Sequence, residues 1–175
     1  MEISTTQLKE LRDKSGAGIM EARAALISHE GNFEKALEEL KKASINKVQK
    51  RSQRAVGQGT VTTYIHTGGR IGAMIELNCE TDFVARTDVF KELAHNIAMQ
   101  VAAQEPICIS QDKLPKENET PPEVACLLLQ PYIKSPELTI QDLINEAIAK
   151  TGENIKVNRF VRFELGQPES IIAWV

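Results

Sequence analysis

Cysteine is scarce in this chain, and what there is does not pair: Cys79, Cys108 and Cys126 are an odd number without CxxC spacing. Neither a disulfide framework nor a zinc site is expected, and a reducing cytosol is the compartment that fits. Proline is missing from the first 105 residues; all seven prolines fall at Pro106 or later, which leaves the N-terminal part free to form uninterrupted elements. No apolar run approaches the ~20 residues of a membrane-spanning helix. Met1-Glu2-Ile3-Ser4-Thr5 lacks the basic-then-apolar character of a secretion signal, so a cytoplasmic protein without membrane contact is expected. The phosphate loop GxxxxGK followed by Ser or Thr is absent, so the chain is not expected to hold a nucleoside triphosphate itself. His29, His66 and His95 show no metal-ligand spacing; no metal and no cofactor are expected. A formal net charge of -3 argues against a broad phosphate-binding surface, and direct nucleic-acid binding is not expected.

What is present is enough for one core and a small appendage, since 42% of the 175 residues are hydrophobic. Leu8 and Leu11, then Ile19, Ala22 and Leu26, then Phe33, Ala36, Leu37 and Leu40 recur at helical spacing, which predicts a three-helix bundle over residues 1–45. Gly31-Asn32 supplies a helix stop and the next N-cap. Residues 41–54 carry Lys41, Lys42, Lys47, Lys50, Arg51 and Arg54 without an acid or an aromatic. They read as a basic, partly helical linker, placed at 46–56, rather than an RNA-binding arm.

A second unit is predicted over 57–167. Residues 60–65, the turn His66-Thr67-Gly68-Gly69 and the alternating run Ile71, Ala73, Ile75, Leu77, Cys79 form a hairpin with one buried face. Phe90, Leu93, Ile97 and Val101 predict a helix, and residues 105–122, with four prolines, an exposed connection with few core contacts. Leu127–Ile133 is expected to dock back on the core. Thr139 and Asp142 have capping-box spacing for a helix carrying Ile140, Leu143, Ile144, Ala147 and Ile148, which Gly152 stops. Ile155, Val157, Val161, Phe163 and Leu165 predict a third strand. The fold class is α+β: a three-helix bundle, then a small antiparallel sheet of about three strands with helices on one face. Residues 168–175 form an apolar tail.

The most informative stretch is Asn78-Cys79-Glu80-Thr81-Asp82-Phe83-Val84-Ala85-Arg86, where the second strand hands over to a helix. Thr81 or Asp82 can cap that helix with Phe83 as its first core anchor; alternatively Asp82-Phe83 is a projecting tip that enters a partner. An enzyme reading would combine Cys79 with His66 or His95 and Asp82. Cys79, however, is in phase with the buried strand positions, and a core cysteine is the simpler account.

Three segments carry a family resemblance. Thr81-Asp82-Phe83-Val84 preceded by Asn78, the N-terminal Leu11-Arg12-xx-Ser15-Gly16-Ala17-Gly18-Ile19-Met20-Glu21-Ala22, and Ile148–Ile155 leading into Arg159-Phe160-Val161-Arg162-Phe163-Glu164 are similar, in order, to motifs of short bacterial-type members of the elongation factor Ts family, guanine nucleotide exchange factors for elongation factor Tu. The N-terminal bundle is also similar to a ubiquitin-associated domain. The resemblance implies binding to GDP-bound and nucleotide-free elongation factor Tu and disturbance of its Mg²⁺ and phosphate site. Thr81, Asp82, Phe83 and Val84 would act there, with further contacts from Leu11, Arg12, Gly18, Ile19, Met20 and His66. It implies no covalent chemistry, and by analogy with short members a homodimer. The alternative from another class is a ubiquitin-associated-type peptide or protein binding module, which would rest on the bundle alone.

Overall fold

A computed structural model describes residues 4–167 and 171–174. It opens with helices α1 (Thr5–Ser15), α2 (Ile19–Ser28) and α3 (Phe33–Arg51). The Ser4 side chain caps α1, and the Asn32 side chain accepts the Lys35 N–H at 3.1 Å to cap α3. Gly16 ends α1 at φ 66°, a left-handed conformation that costs glycine nothing. Leu11, Ala22, Ala25, Leu26, Ala36 and Leu40 close a small core of their own.

The stretch predicted as a linker is more ordered than its composition suggests. Helix α3 runs unbroken to Arg51. Val48 packs on the larger core, and Arg51 Nη1 donates to the Ile148 carbonyl at 3.2 Å, so the end of α3 is docked on the second unit. The side chain of Lys47 lies outside the described residues.

The second unit contains β1 (Gln58–Ile65), β2 (Ile71–Cys79), α4 (Asp82–Ala85), α5 (Asp88–Gln104), α6 (Pro122–Ala125), β3 (Pro131–Tyr132), β4 (Ser135–Thr139), α7 (Ile140–Thr151), β5 (Ile155–Glu164) and β6 (Ile171–Trp174). The main sheet has the order β1-β2-β5-β6 and is antiparallel throughout; β3 and β4 form a separate ribbon. It thus has four strands where three are predicted, the fourth being the tail, whose residues 171–174 pair with Arg159–Arg162. The expected apolar contribution of the Ile171, Ile172 and Trp174 side chains lies outside the described residues. The inner face of β2, with Ala73, Ile75, Leu77 and Cys79, packs with Phe90, Leu93, Ile97 and Val101 of α5 and Ile144, Ala147 and Ile148 of α7. The Thr139–Asp142 capping box of α7 forms as its spacing predicts.

Two expectations are corrected. The pairing of β5 with β2 shifts between Glu76 and Leu77, which partner Arg159 and Val157, leaving Asn158 as the extra residue of a bulge. Beyond it the inward phase switches: Phe160 and Arg162 are buried, whereas Phe163 and Leu165, expected inside, are exposed. The buried Arg162 is satisfied by the Ala102 carbonyl at 3.2 Å and by Glu105 and Glu164 at 3.3 and 2.8 Å, fastening the end of α5 to β5. The connection after α5 also reaches inward, because Ile109 joins the main core and Cys108 packs with Ala125 and Cys126. The Cys108 and Cys126 sulfurs lie 3.2 Å apart as free thiols. Burial and the neighbouring thiol push Cys108 up to about 12.

Candidate partner-binding site

The hand-over from β2 to α5 is a two-step turn. Thr81 caps α4, its hydroxyl oxygen accepting the Val84 N–H at 3.4 Å. Thr87 then caps α5 through the Phe90 N–H at 3.3 Å and donates its own hydroxyl to the Val84 carbonyl at 2.7 Å. In a helix, consecutive side chains stand about 100° apart, so Phe83 and Val84 point in different directions from this single turn. Val84 takes the core position with 4% exposure, while Phe83 stands 75% exposed. Thr81 is therefore the cap, Val84 the anchor and Phe83 the projection. Val84 holds the turn down.

Asp82 is exposed and accepts from Arg86 Nη2 at 2.8 Å, one helical turn away. Arg86 is a member of this site that spacing alone could have indicated. From the turn that leads into the neighbouring strand β5, Glu153 receives the Thr81 hydroxyl at 2.6 Å and the Thr81 N–H at 3.0 Å. Its neighbour Asn154 donates its N–H to Glu80 at 2.6 Å and its side-chain amide to the carbonyls of Ser52 and Arg54 at 3.3 and 2.7 Å. These contacts join segments far apart in sequence, and only the polar Glu-Asn pair just past the Gly152 stop hints at them.

Cys79 is fully buried and donates its S–H to the Thr81 carbonyl at 3.1 Å. Burial raises its pKa, and the charges of Glu153 and Asp82 raise it further, so the neutral thiol persists as a structural donor. Among the described residues, Cys79 is not brought together with His66 and Asp82. His66 sits at the opposite end of the β1–β2 hairpin, roughly 30 Å along the nine residues of β2 by strand rise. There its Nδ1 lies 3.2 Å from the Tyr64 hydroxyl, and the Tyr64 ring also meets His95 edge-on at 5.7 Å between centroids.

The N-terminal candidates divide. Leu11 is fully buried in the bundle and serves its core, which removes it from the accessible set. Arg12 and Gly18 are exposed, as are Ile19 and Met20 on the first turn of α2 and Ile27 on its last.

The family model for elongation factor Ts matches residues 2–123. The chain belongs to the elongation factor Ts family. Proteins named elongation factor Ts from Syntrophus aciditrophicus and Moorella thermoacetica are each 43% identical, covering 95% and 94% of this chain and 98% and 96% of their own lengths. One from Thermotoga neapolitana is 42% identical over 95% of this chain and 99% of its own. The alignment to the Syntrophus protein spans 197 positions against 175 residues here, so it holds segments that this chain lacks. Membership of the elongation factor Ts family makes this a translation elongation factor, a protein of protein biosynthesis. Among the described residues, no helix is long and apolar enough to cross a membrane.

Proposed function

We propose that this protein is a guanine nucleotide exchange factor that binds GDP-bound elongation factor Tu in the cytoplasm, disturbs its Mg²⁺ and phosphate site and promotes GDP release so that GTP can rebind. The carrying observation is Phe83, 75% exposed on a turn pinned at both ends. Nucleotide release needs no nucleophile or general base; it needs a factor that binds the empty GTPase more tightly than the loaded one. A three- to five-decade acceleration requires about 4 to 7 kcal/mol of that difference, at ~1.4 kcal/mol per decade. A phosphate-bridging Mg²⁺ is the largest local charge in such a site, so a wedge beside it acts on a large term. Phe83 has the shape of the wedge, and Asp82, held only by an exposed ion pair, can change partner at low cost.

The rest of the difference needs a broader footprint. Arg12, Gly18, Ile19 and Met20 on the bundle are one further contact and His66 at the far hairpin end another, a span that suits a multi-domain partner. The exposed apolar face of α2 also supports the rival reading, a ubiquitin-associated-type binding module without exchange activity. Release of a fluorescent GDP from elongation factor Tu decides between them: the rate rises with added protein and saturates under the exchange reading. An unchanged rate at saturating protein leaves only the binding module.

A further inference from the structure

We infer that Glu153 is a positioning residue for the exchange tip, holding Asp82 and Phe83 in place through Thr81; this rests on the reading of the tip proposed above. Both carboxylate oxygens are engaged, one by the Thr81 O–H at 2.6 Å and the other by its N–H at 3.0 Å, across 72 residues of sequence. A hydroxyl has one proton and two lone pairs. Committing the proton to Glu153 fixes the Thr81 rotor and leaves a lone pair for the Val84 N–H, the bond that starts α4. The grip on Thr81 therefore also sets the start of the turn that carries Phe83.

The turn needs such help. Helix α4 has only four residues, and a single helical turn is unstable by itself because it fixes several dihedrals for very few hydrogen bonds. Within Thr81–Phe83 all three side chains are exposed, so apolar burial does not fix them. Glu153, by contrast, sits on a firm base. Gly152 ends α7 at φ 79°, the Thr151 hydroxyl bonds the Ala147 carbonyl at 2.8 Å, and Asn154 is fixed at three points to Glu80, Ser52 and Arg54. Two consecutive residues of one turn thus hold the tip on one side and the segment between α3 and β1 on the other. A tip released from Glu153 would spread over several conformers, and its effective affinity would fall in proportion to the fraction still competent.

The test compares Glu153→Ala, Glu153→Asp, Glu153→Gln and Phe83→Ala in the full chain. The readouts are GDP release from elongation factor Tu per unit concentration of factor, thermal midpoint, and amide hydrogen exchange of Thr81–Ala85. Glu153→Ala is expected to lower exchange efficiency about tenfold, with faster amide exchange at Thr81 and a midpoint within a few degrees of wild type. Glu153→Gln keeps the length and one acceptor oxygen and restores most of the efficiency; a purely structural loss would not follow that order. Wild-type efficiency in Glu153→Ala alongside a loss in Phe83→Ala overturns the inference and leaves the tip reading intact. Wild-type efficiency in Phe83→Ala instead overturns the tip reading itself. Should Glu153→Ala not fold, Glu153→Asp decides, since it keeps the charge but falls one methylene short of Thr81: a deficit supports the inference and unchanged efficiency overturns it.

Discussion

At the scale of single residues, the neighbours Phe83 and Val84 have opposite assignments, and mutation separates them. Truncating a buried Phe costs about 3 to 5 kcal/mol, enough to unfold a marginal domain. Phe83 has little burial to lose, so Phe83→Ala should leave the thermal midpoint nearly unchanged. If it is an interface anchor, its loss costs at least ~2 kcal/mol of partner binding, roughly thirtyfold. Asp82→Ala breaks only the exposed pair with Arg86, worth well under ~1 kcal/mol to the fold, and should also reduce exchange. Thermal melts beside GDP-release rates check both; a large drop in melting temperature for Phe83→Ala would put the ring in the core. The sequence left Phe83 undecided between core anchor and projection for a physical reason. One turn of helix gives no periodicity to count, and either residue is apolar enough for the inward position.

At the scale of elements, the long regular pieces were legible and the irregular joints were not. The alternation of β2 and the apolar spacings of α5 and α7 read correctly because each has one buried face over at least nine residues. In β5 the same logic failed after Val157, since a bulge inserts a residue without leaving any mark on the composition. Phe160, Val161 and Phe163 are apolar on both faces, so the pattern fits either phase. The grip of Glu153 on Thr81 was equally hidden, being a polar contact at the ends of two strands that lie far apart in sequence. Asn158 offers a direct check. Deleting it would force Phe160 and Arg162 outward or pull the rest of β5 out of register with β2. The deletion is expected to abolish cooperative unfolding, whereas Asn158→Ala, which keeps the extra residue, should retain a sharp thermal transition near wild type.

At the scale of the whole molecule, the bundle and the second unit each have an apolar cluster of their own, the larger lying between sheet and helices. A chain beginning at residue 52 keeps the whole buried set of the larger cluster and loses, among the described contacts, the packing of Val48 and the Arg51 bond to Ile148. It should fold with a modestly lower midpoint and bind elongation factor Tu far more weakly, because tethered contacts gain from each other's local concentration. Calorimetry giving equal affinities for truncated and intact chains would assign the bundle to another client.

The outer face of the sheet carries the remaining question, assembly. Val61 and Ile65 of β1, Met74 of β2 and Phe163 of β5, with Leu165 just beyond, are all exposed. On the register they share one face: Ile65 lies opposite Gly72, which pairs on its other side with Phe163, and Thr63 lies opposite Met74. Among the described residues, helices cover the other face, and β1 and β6 are the edge strands. We propose a second copy of this chain as the cover, through a two-fold contact in which the same patch meets itself. A standard interface buries ~800 Å² per partner, more than five half-exposed side chains provide, so the dimer should be weak and concentration-dependent. Sedimentation across the micromolar range should show a mass rising from that of the 19.4 kDa chain toward twice that value. Phe163→Glu should hold it at the monomer without lowering the melting temperature, because a charge on a solvent-facing strand position desolvates only when the second copy docks. A wild-type chain that stays monomeric at every concentration would leave this face free in solution.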